Sequence, residues 1–510
     1  MCSAVPALLA LLAGLTSALG FAPLEWWPVT LAALALWLWV VHQAPTLKGA
    51  LWRSWLFGVA HFTIGNNWIQ HAFHFQDRMP PALGYVAVVG LALYLAIYPM
   101  LAGGIAWKLG RRGERPDLGF VLIAGAAWIA TEYLRAVVMT GYPWNPIGAI
   151  WVPTPLRHLA AFTGTYVLSG LTVVASAAML LPRSRIRYAV LVGLALLMAG
   201  FAWTERPATP APSSDAPRVR VVQPDAGKED QNQPGYDERV FDTLIALSGR
   251  PGPVPRLVIW PEGAVNLPLE DGYPPEWYPQ SPLALRARIA GTLGPRDVAL
   301  IGGTALFFDS QRRIEAAGNS VFAITPDARI VGRYDKAHLV PGGEYLPLRS
   351  ILQPLGLSRL VMGSVDFRPG PGPATVPVPV FGDAGMQICY EIIFSGQVVD
   401  RTHRPRFIVN PTVDSWYGDW GPPQHLAQAR LRAVEEGLPV LRSTTTGISA
   451  VIDASGALVA TIPMRRADAI EVALPAPHAP TLFARTGNWM ALLVIVLLCG
   501  LAIAIRRRAR

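Results

Sequence analysis

The chain is organised around one stretch, Gly385-Met386-Gln387-Ile388-Cys389-Tyr390-Glu391-Ile392-Ile393-Phe394. This apolar, β-prone run predicts a buried strand, with Cys389 at its end between an aromatic and an acidic residue. A lone cysteine is more often a small buried hydrophobe than a reactive group. Its polar neighbours favour the second interpretation, in which the strand delivers one thiol to a site at its end.

Two other apolar strands are expected to end beside the same site. The run Val258–Glu262 ends on a carboxylate, and Tyr334–Lys336 brings a cation that is followed by a second carboxylate, Glu344. A base, a cation and a thiol at strand ends are the parts of an acyl-transfer site with a cysteine nucleophile.

Each group has a role in that chemistry. Glu262 follows Trp-Pro, where partial desolvation would make it a useful general base. The Lys336 ammonium would stabilise a forming oxyanion and hold the thiolate, with help from the backbone N–H of Tyr390. Taken singly, Glu262 could equally be a solvated loop glutamate and Lys336 a surface lysine, so we predict these residues as a set.

The composition puts part of the chain in lipid. Of 510 residues, 52% are hydrophobic and only 15% are charged, which is too apolar for an ordinary soluble enzyme and too long for one compact domain. The net charge of +9 lies in loops between apolar segments and not in a basic stripe with interleaved aromatic residues, which excludes a nucleic-acid partner. The cysteines are Cys2, Cys389 and Cys499, so the globular region has one thiol and no disulfide partner of its own.

Eight apolar segments have about the length that crosses a bilayer. They fall at roughly 3–20, 28–42, 51–65, 83–107, 118–138, 159–181, 187–203 and 489–505. The first segment lacks the cationic start of a signal peptide, so we interpret it as a membrane helix. The predicted membrane domain is therefore polytopic and α-helical, with seven transmembrane helices before the globular region and one after it.

Alternate loops between these segments are basic and set the orientation in the membrane. They contain Lys48, Lys108 and Arg183, and the C-terminal tail carries Arg506, whereas the intervening loops hold little beyond Arg78 and Arg157. By the positive-inside rule, the basic loops and both termini are cytoplasmic. The region between the last two helices is then extracytoplasmic, which predicts a multi-pass protein of the bacterial inner membrane with a periplasmic domain.

The domain boundaries follow from the composition. Residues 1–204 are the seven-helix domain, 205–217 a Pro/Ala/Ser linker, 218–485 the globular domain, and 486–510 the last helix with its basic tail. Strand candidates in the globular domain are 219–223, 257–260, 298–307, 320–325, 375–381, 385–390, 407–410, 439–443 and 448–453, and helical candidates are 236–247, 282–292 and 424–436. This alternation predicts a layered α/β domain with a pair of sheets and outer helices.

Two further features each allow two interpretations. The apolar, proline-broken segment Tyr345–Met362 is either a loop packed on its own domain or an arm that touches the bilayer beside the site. Glu132 and Arg135 lie inside the fifth apolar segment, where ionisable groups are costly. They either pair with each other at i,i+3 or include a phosphate-binding arginine near the outer leaflet.

The motifs together resemble a known family. The segments Trp260–Glu262, Tyr334–Glu344 and Cys389–Glu391 resemble the Glu/Lys/Cys triad of the nitrilase superfamily. Joined to eight membrane helices, they resemble the bacterial apolipoprotein N-acyltransferases, and the resemblance covers nearly the whole chain. Other matching residues are Gly20-Phe21-Ala22-Pro23, Glu132, Arg135, Thr140-Gly141-Tyr142-Pro143-Trp144, Arg442-Ser443-Thr444 and Gly447. The resemblance implies a nitrilase-like α-β-β-α sandwich for residues 218–485.

This resemblance also implies an activity and a set of residue roles. An acyl chain would move from a glycerophospholipid to the N-terminal α-amino group of a diacylglyceryl-cysteine lipoprotein, by a ping-pong mechanism through a thioester. The implied catalytic residues are the base Glu262, the oxyanion-stabilising Lys336 and the nucleophile Cys389; the supporting residues are Glu344, Tyr390 and Glu391; the pocket residues are Trp416, Arg135 and Tyr345. We expect no metal or cofactor, and a monomer whose partners are the donor phospholipid, the acceptor lipoprotein and the membrane.

Three positions depart from the family pattern. Gly342 replaces the phenylalanine that usually precedes Gly-Glu, and the loop Asn410–Gly418 is about two residues longer than the usual Ser-Asn-Asp-Ala-Trp-Phe-Gly type. Thr445 and Thr446 stand where the family often has paired asparagines.

Two other functions compete with this one. A membrane-tethered carbon-nitrogen hydrolase of the amidase or nitrilase type would use the same triad and let water take the acyl group, but a single anchor helix would suffice for it. A transporter or lipid-binding protein with an inactive extracellular domain would be expected to have lost Glu262, Lys336 or Cys389, and all three are present. The acyltransferase is therefore the favoured function.

Overall fold

The structure, a computed structural model, describes residues 4–508 apart from 76–78, 183–184, 205–214, 228, 230, 232, 356–357 and 361–364. Most of the predicted linker 205–217 lies outside the described residues, as do Cys2, Arg78, Arg183 and Arg510. Each of the eight predicted apolar segments coincides with a helix over most of its length. The sequence prediction of helix positions is therefore confirmed at this level.

The helices before the globular domain are numbered in chain order. They are α1 (Ala4–Ser17), α2 (Trp27–His42), α3 (Leu47–Gly65), α4 (Ile69–Ala72), α5 (Leu83–Leu95), α6 (Ile97–Ile105), α7 (Leu118–Val137), α8 (Ala160–Ala178) and α9 (Arg185–Thr204). Helices α5 and α6 run on into a π-helical turn and form one continuous helical span, Leu83–Gly110.

Within the described part of the chain, four helical spans are long and apolar enough to cross a membrane. They are Leu83–Gly110, Leu118–Val137, Pro155–Ala178 and Trp489–Arg508. Three more apolar helices are shorter, at Ala4–Gly20, Trp27–His42 and Arg187–Trp203. Helix α3 has 19 residues but includes Lys48, Arg53 and His61, so its composition is more polar.

Helix α7 lies at the centre of the helical bundle. It packs against α6, α8 and the C-terminal helix, and most of its residues are buried. At the crossing with α8 the two backbones come very close, because a Cβ atom on Gly125 would lie 3.1 Å from the Gly170 carbonyl oxygen and 2.4 Å from Val174. Small residues at such crossings are how helices pack closely in lipid.

The globular domain contains two six-stranded sheets with the same pattern of neighbours. The strands are β1 (Arg218–Gln223), β2 (Arg256–Ile259), β3 (Val298–Phe308), β4 (Ile314–Ile324), β5 (Ile330–Asp335), β6 (Thr375–Val378), β7 (Gly382–Met386), β8 (Phe407–Thr412), β9 (Val440–Thr444), β10 (Ser449–Ile452), β11 (Leu458–Ile462) and β12 (Asp468–Ala473). Sheet 1 has the order β12-β1-β2-β3-β4-β5, and sheet 2 has the order β11-β10-β9-β8-β7-β6. The helices of this region are α10 (Tyr236–Ser248), α11 (Pro282–Ala290), α12 (Arg349–Leu352), α13 (Gly421–Glu436) and α14 (Leu482–Thr486), and the C-terminal helix α15 (Trp489–Arg508) returns to the helical bundle.

The layers follow from which apolar faces pack together. The facing sides of both sheets share one core, which includes Val221 and Ile259 of sheet 1 and Met386 and Val409 of sheet 2. Helices α10 and α11 cover the outer side of sheet 1. Helix α13 packs on sheet 2 with one face and on the membrane helices with the other. This is the expected α-β-β-α sandwich. Helix α13, which forms the outer layer on sheet 2, also packs against the helical bundle.

The sequence prediction missed three strands, β5, β11 and β12. All three lie at sheet edges, and strand β11, for example, keeps most of its residues exposed. An edge strand buries less apolar surface, so its periodicity is a weaker signal. The predicted strand 385–390 was also wrong at its end, since β7 stops at Met386 and Cys389 begins a short 3-10 turn.

The strand ends bring the chemistry together. Strands β1, β2 and β3 run parallel in sheet 1, as do β7, β8 and β9 in sheet 2. Glu262 follows β2, Cys389 follows β7 and Asp414 follows β8. The carboxyl ends of these strands therefore deliver polar side chains to one region, which is where ligands bind in parallel sheets.

Candidate active site

Two carboxylates and one ammonium form the polar centre of the site. The Nζ atom of Lys336, which follows β5, lies 2.9 Å from Glu344 Oε1 and 3.3 Å from Glu262 Oε1. The side-chain amide of Asn319 on β4 donates to the same two oxygen atoms, at 2.6 Å to Glu262 and 3.0 Å to Glu344. One cation and one amide thus hold both carboxylates in place.

The second oxygen of each carboxylate is bound by the backbone. The N–H of Val413 donates to Glu262 Oε2 at 2.8 Å, and the N–H of Val340 donates to Glu344 Oε2 at 2.8 Å. Each carboxylate therefore has a fixed orientation. A fixed general base loses little conformational freedom when it takes part in a reaction.

Lys336 is 1% exposed, and its charge depends on the two carboxylates. Burial alone would lower the pKa of Lys336, but the negative charges of Glu262 and Glu344 raise it above its ordinary value. The side chain is therefore an ammonium throughout the physiological pH range. It can donate a charge-assisted hydrogen bond to an oxyanion in the adjoining cavity.

Cys389 is held at a sharp turn. Its φ of +51° is unusual for a residue with a Cβ atom, and such strain costs about 1–3 kcal/mol. Burial, and then the charge of Glu262, raise the pKa of Cys389, while Lys336 lowers it. The resting thiol therefore keeps its proton, which a base would have to remove before the sulfur could act as a nucleophile.

Glu391 joins the lysine loop to the cysteine turn. One carboxylate oxygen accepts hydrogen bonds from Tyr334 Oη at 2.8 Å and from the N–H groups of Ala337 and His338 at 2.7 and 3.0 Å. The other oxygen accepts from the N–H of Ile388 at 2.7 Å. Burial raises the pKa of Glu391 to about 7, although the hydrogen bonds from the His338 N–H and the Tyr334 hydroxyl act in the opposite direction. Glu391 thus fixes Lys336 relative to Cys389.

A buried histidine contacts the backbone of Cys389 from the other side. His425 of α13 is 0% exposed, and its Nε2 atom lies 3.1 Å from the carbonyl oxygen of Cys389. Burial, and then the charge of Arg442, lower the pKa of His425, so the ring is neutral. Because a carbonyl oxygen can only accept, the proton lies on Nε2. The Nδ1 atom lies between the donor Arg442 Nη2, at 3.2 Å, and Asp414 Oδ1, at 3.3 Å. Arg442 is itself paired with Asp414 at 2.7 Å.

A loop of the membrane domain reaches this site. The Arg135 guanidinium at the end of α7 donates to the carbonyl oxygens of Tyr142 and Trp144, at 2.9 and 2.8 Å. Gly141 lies in the same loop, just before Tyr142. Its carbonyl oxygen accepts a hydrogen bond from Tyr390 Oη of the catalytic domain at 3.2 Å. Arg135 and Glu132 lie 3.8 Å apart. The buried pair therefore orders the loop that touches the catalytic domain.

A cavity of about 1,000 Å³ opens beside Cys389. Its polar part contains Glu262, Lys336, Glu344 and Asn319. Its apolar part is lined by the membrane-domain residues Ile69, Ala72, Phe73, Met79, Ala87, Leu91, Val138 and Met139. One continuous cavity thus joins the side of α5 to Cys389.

The structure separates the predicted site residues into two groups. Glu262, Lys336, Cys389, Glu344, Tyr390 and Trp416 all line the cavity. Glu391, Arg135 and Tyr345 are not among its described lining residues. Glu391 and Arg135 instead bind backbone groups of the loops around the site, as described above. Tyr345 lies against Thr140.

Gly342, one of the departures from the family pattern, has a structural reason. Its φ is +76°, and a Cβ atom there would meet nothing within 4 Å. The turn is closed by a hydrogen bond of 2.9 Å from the Gly342 N–H to the Tyr345 carbonyl. Glycine therefore permits the left-handed turn that brings Glu344 back to Lys336.

The sequence interpretation gave no role in the site to Asn319, Asp414, Tyr417 or His425, and it named Arg442 only as a residue that matches the family. One signal could have revealed Asn319, because it is the one amide side chain in β4 and lies two residues before the apolar run Val321–Ile324. Asp414 and Tyr417 follow β8, His425 lies on α13 and Arg442 lies within β9, with no spacing that links them before folding.

The chain matches two family models. Residues 13–178 match the apolipoprotein N-acyltransferase N-terminal domain, and residues 252–477 match the carbon-nitrogen hydrolase domain. The chain is similar to proteins named apolipoprotein N-acyltransferase from Rhodopseudomonas palustris and Bradyrhizobium diazoefficiens, with 33% and 34% identity over 98% of this chain and 95% of each relative. Among solved structures, a nitrilase-superfamily protein from Saccharomyces cerevisiae matches at 19% identity and a TM-score of 0.33, over 52% of this chain and 93% of that one.

Proposed function

We propose, from the premise that this chain belongs to the apolipoprotein N-acyltransferase family and is an acyltransferase, that it moves an acyl chain between two membrane substrates through Cys389. The donor is a glycerophospholipid, and the acceptor is the N-terminal α-amino group of a diacylglyceryl-cysteine lipoprotein. Glu262 is the general base, Lys336 stabilises the oxyanion, and Cys389 is the nucleophile.

One observation carries this proposal: the cavity beside Cys389 is lined by both catalytic-domain and membrane-domain residues. An apolar lining suits an acyl chain, and the polar centre lies where the ester carbonyl of such a chain would have to react. A soluble substrate would need no such apolar wall. The substrate class is therefore a lipid ester.

In the first half-reaction the enzyme takes the acyl chain from the donor. Glu262 accepts the thiol proton, the Cys389 sulfur bonds to the ester carbonyl carbon, and the tetrahedral oxyanion is stabilised by the Lys336 ammonium and the Tyr390 N–H. The C–O bond then breaks, and Glu262 returns the proton to the departing lysophospholipid. The product is a thioester on Cys389.

In the second half-reaction the acceptor amine replaces the lysophospholipid. Glu262 removes a proton from the incoming ammonium, so that a neutral amine attacks the thioester carbonyl. The C–N bond forms and the C–S bond breaks; the proton held by Glu262 passes to the sulfur, and the second proton that the nitrogen loses on becoming an amide leaves through Glu262 to solvent. Sequential use of one pocket explains why a single cavity serves two bulky substrates.

The competing hydrolase would release the acyl group to water. Cys389 is 4% exposed and Lys336 is 1% exposed, so bulk water has little access to the reacting atoms. A site that excludes water favours an amine acceptor over hydrolysis of the thioester. This burial supports the transferase.

The arm, Tyr345–Met362, also belongs to the proposal. Its residues Leu346, Pro347 and Leu348 line the cavity, while Leu348 and Ile351 expose 61% and 59% of their surface. Gly356, Leu357 and Val361–Met362 lie outside the described residues. We propose that the exposed leucine and isoleucine contact the bilayer, where such side chains bind well, and that Trp416 contacts the acyl chain.

For the topology we propose eight membrane crossings in an inner membrane, with both termini cytoplasmic and the catalytic domain periplasmic. The basic loops support this orientation. One chain contains all the residues assigned to the chemistry, so a monomer suffices.

A reporter fusion tests the topology. A reporter that is active only in the periplasm should be inactive when fused after Arg510 and active when inserted at the exposed turn Asp309–Arg312 between β3 and β4. Protein levels measured by immunoblot serve as the control for both fusions. A periplasmic signal from the C-terminal fusion would contradict the proposed orientation.

Partition of a labelled acyl chain tests the function. Vesicles that contain the enzyme, a phospholipid labelled in its acyl chains and a diacylglyceryl-cysteine lipopeptide should transfer label to the lipopeptide amine. Blocking that amine by acetylation should stop transfer. Label released as free fatty acid at the same rate with either lipopeptide would favour the hydrolase instead.

A further inference from the structure

The mechanism above leaves one polar group at the nucleophile without a role. The hydroxyl oxygen of Tyr417 lies 3.1 Å from the sulfur of Cys389, within the range of a hydrogen bond to sulfur. Tyr417 is buried, at 6% exposure, and it lines the same cavity. Its position is therefore that of a group in contact with the reacting atom.

An aromatic cage holds the Tyr417 ring in this position. Trp68 lies edge-on at 4.7 Å and His425 edge-on at 5.7 Å, while Trp144 is tilted at 5.6 Å between ring centroids. Trp68 and Trp144 belong to the membrane domain, and Trp144 Nε1 is fixed by a 2.9 Å hydrogen bond to Gln424 of α13. The phenol is thus positioned by both domains and has little freedom to swing away from the sulfur.

The direction of the hydrogen bond depends on the state of the sulfur. A thiol can donate to the phenol, but a thiolate has no proton and can only accept. Burial, and then the nearby Cys389 charge, raise the pKa of Tyr417 well above its ordinary value, so its hydroxyl keeps its proton. Whenever Cys389 is ionised, Tyr417 must be the donor.

Other charged groups also face the sulfur and must be considered with it. Glu262 and Asp414 are negative and oppose ionisation of Cys389, whereas Lys336 favours it. His425 is neutral and bonded to the Cys389 carbonyl, and Arg442 is paired with Asp414. Once Glu262 has taken the thiol proton, the Tyr417 hydroxyl remains in direct hydrogen-bond contact with the sulfur and can stabilise the thiolate there.

We propose that Tyr417 is a further catalytic residue, whose hydroxyl donates a hydrogen bond to the Cys389 sulfur whenever that sulfur carries negative charge. In acylation, the thiol proton moves to Glu262, and the phenol stabilises the thiolate until the C–S bond forms. In transfer to the amine, the C–S bond breaks and the phenol stabilises the departing thiolate. The phenol keeps its own proton throughout, so it changes the barriers without entering the proton balance. The proposal rests on Cys389 being the nucleophile of the proposed function.

The test is the substitution Tyr417→Phe in the full-length enzyme in lipid nanodiscs. The rate at which iodoacetamide alkylates Cys389 is measured against pH, with peptide mass spectrometry to distinguish Cys389 from Cys2 and Cys499. The apparent pKa of alkylation should rise by one to two units, and donor-only thioester formation should slow by about 10- to 100-fold, the range for losing a hydrogen bond to a charged group. Tyr166→Phe is the matched control, since it removes a buried hydroxyl in α8 for which the described residues offer no hydrogen-bond partner. It should leave both quantities unchanged.

A second variant keeps the test decisive if Tyr417→Phe does not fold. Site-specific incorporation of a fluorinated tyrosine at position 417 keeps the shape of the ring and makes its hydroxyl a stronger donor, so the apparent pKa of alkylation should fall. An unchanged alkylation profile in whichever variant folds would overturn the role of Tyr417. A wild type that forms no thioester would instead overturn the proposed function, and the alkylation profiles would still decide whether Tyr417 acts on the sulfur.

Discussion

Incubation of the purified enzyme with phospholipid alone should add one acyl chain to Cys389. The reason is that the proposed first half-reaction needs no acceptor, and the 4% exposure of the thiol slows hydrolysis of the product. Intact-mass measurement should show the added acyl mass, and hydroxylamine should remove it, because hydroxylamine cleaves thioesters. Addition of a diacylglyceryl-cysteine lipopeptide should discharge the same species.

Two substitutions sharpen this experiment. Cys389→Ala should abolish the acyl mass completely, since no other described thiol lines the cavity. Glu262→Gln should slow both charging and discharging by about 10²- to 10⁴-fold, the usual contribution of a general base. Cys499→Ala is the matched control, because Cys499 lies in α15, and it should charge normally. Transfer to lipopeptide without any acyl mass in the donor-only reaction would mean that transfer is direct.

Replacement of the buried cation, as Lys336→Met, should cause the second large loss. Without the ammonium, Glu262 and Glu344 would face each other across the Asn319 amide with no compensating charge. Removing one partner from a buried ion pair costs about 3–5 kcal/mol of unfolding free energy. Loss of an oxyanion donor also lowers turnover by about 10²- to 10³-fold. Thermal unfolding in detergent and single-turnover acylation measure the two effects separately.

A double variant distinguishes the two roles of the lysine. Combining Lys336→Met with Glu344→Gln removes one of the two negative charges that would otherwise repel each other. Much of the lost stability should therefore return, while activity stays low. Lys108→Met, at an exposed position near the end of the Leu83–Gly110 span, is the control and should change neither quantity. Full activity in a stable Lys336→Met enzyme would show that the cation is not needed for the oxyanion.

The sequence was most informative about residues at the ends of apolar runs. Glu262 and Lys336 come within three residues of the ends of β2 and β5, and the apolar run at 257–260 correctly predicts β2. The sequence could not show that Asn319 binds both carboxylates, because that contact depends on the packing of β4 beside β5 and on the return of the Glu344 loop. It also left two interpretations of Arg135, a pair with Glu132 or a phosphate-binding arginine; the structure places Arg135 3.8 Å from Glu132 and shows it donating to two loop carbonyl oxygens, a contact that neither interpretation included.

By itself, the sequence determined the apolar helices, the layered α/β class and the positions of Glu262 and Cys389 near the ends of apolar runs, because each follows from local periodicity and composition. Only the tertiary structure decided that the Tyr417 hydroxyl meets the Cys389 sulfur, that His425 binds the Cys389 carbonyl, and that a membrane-domain loop closes the site. These contacts join residues that are far apart in the chain, and their partners have no common spacing. They exist because α13 packs between sheet 2 and the helical bundle, so that both domains meet at the end of β7.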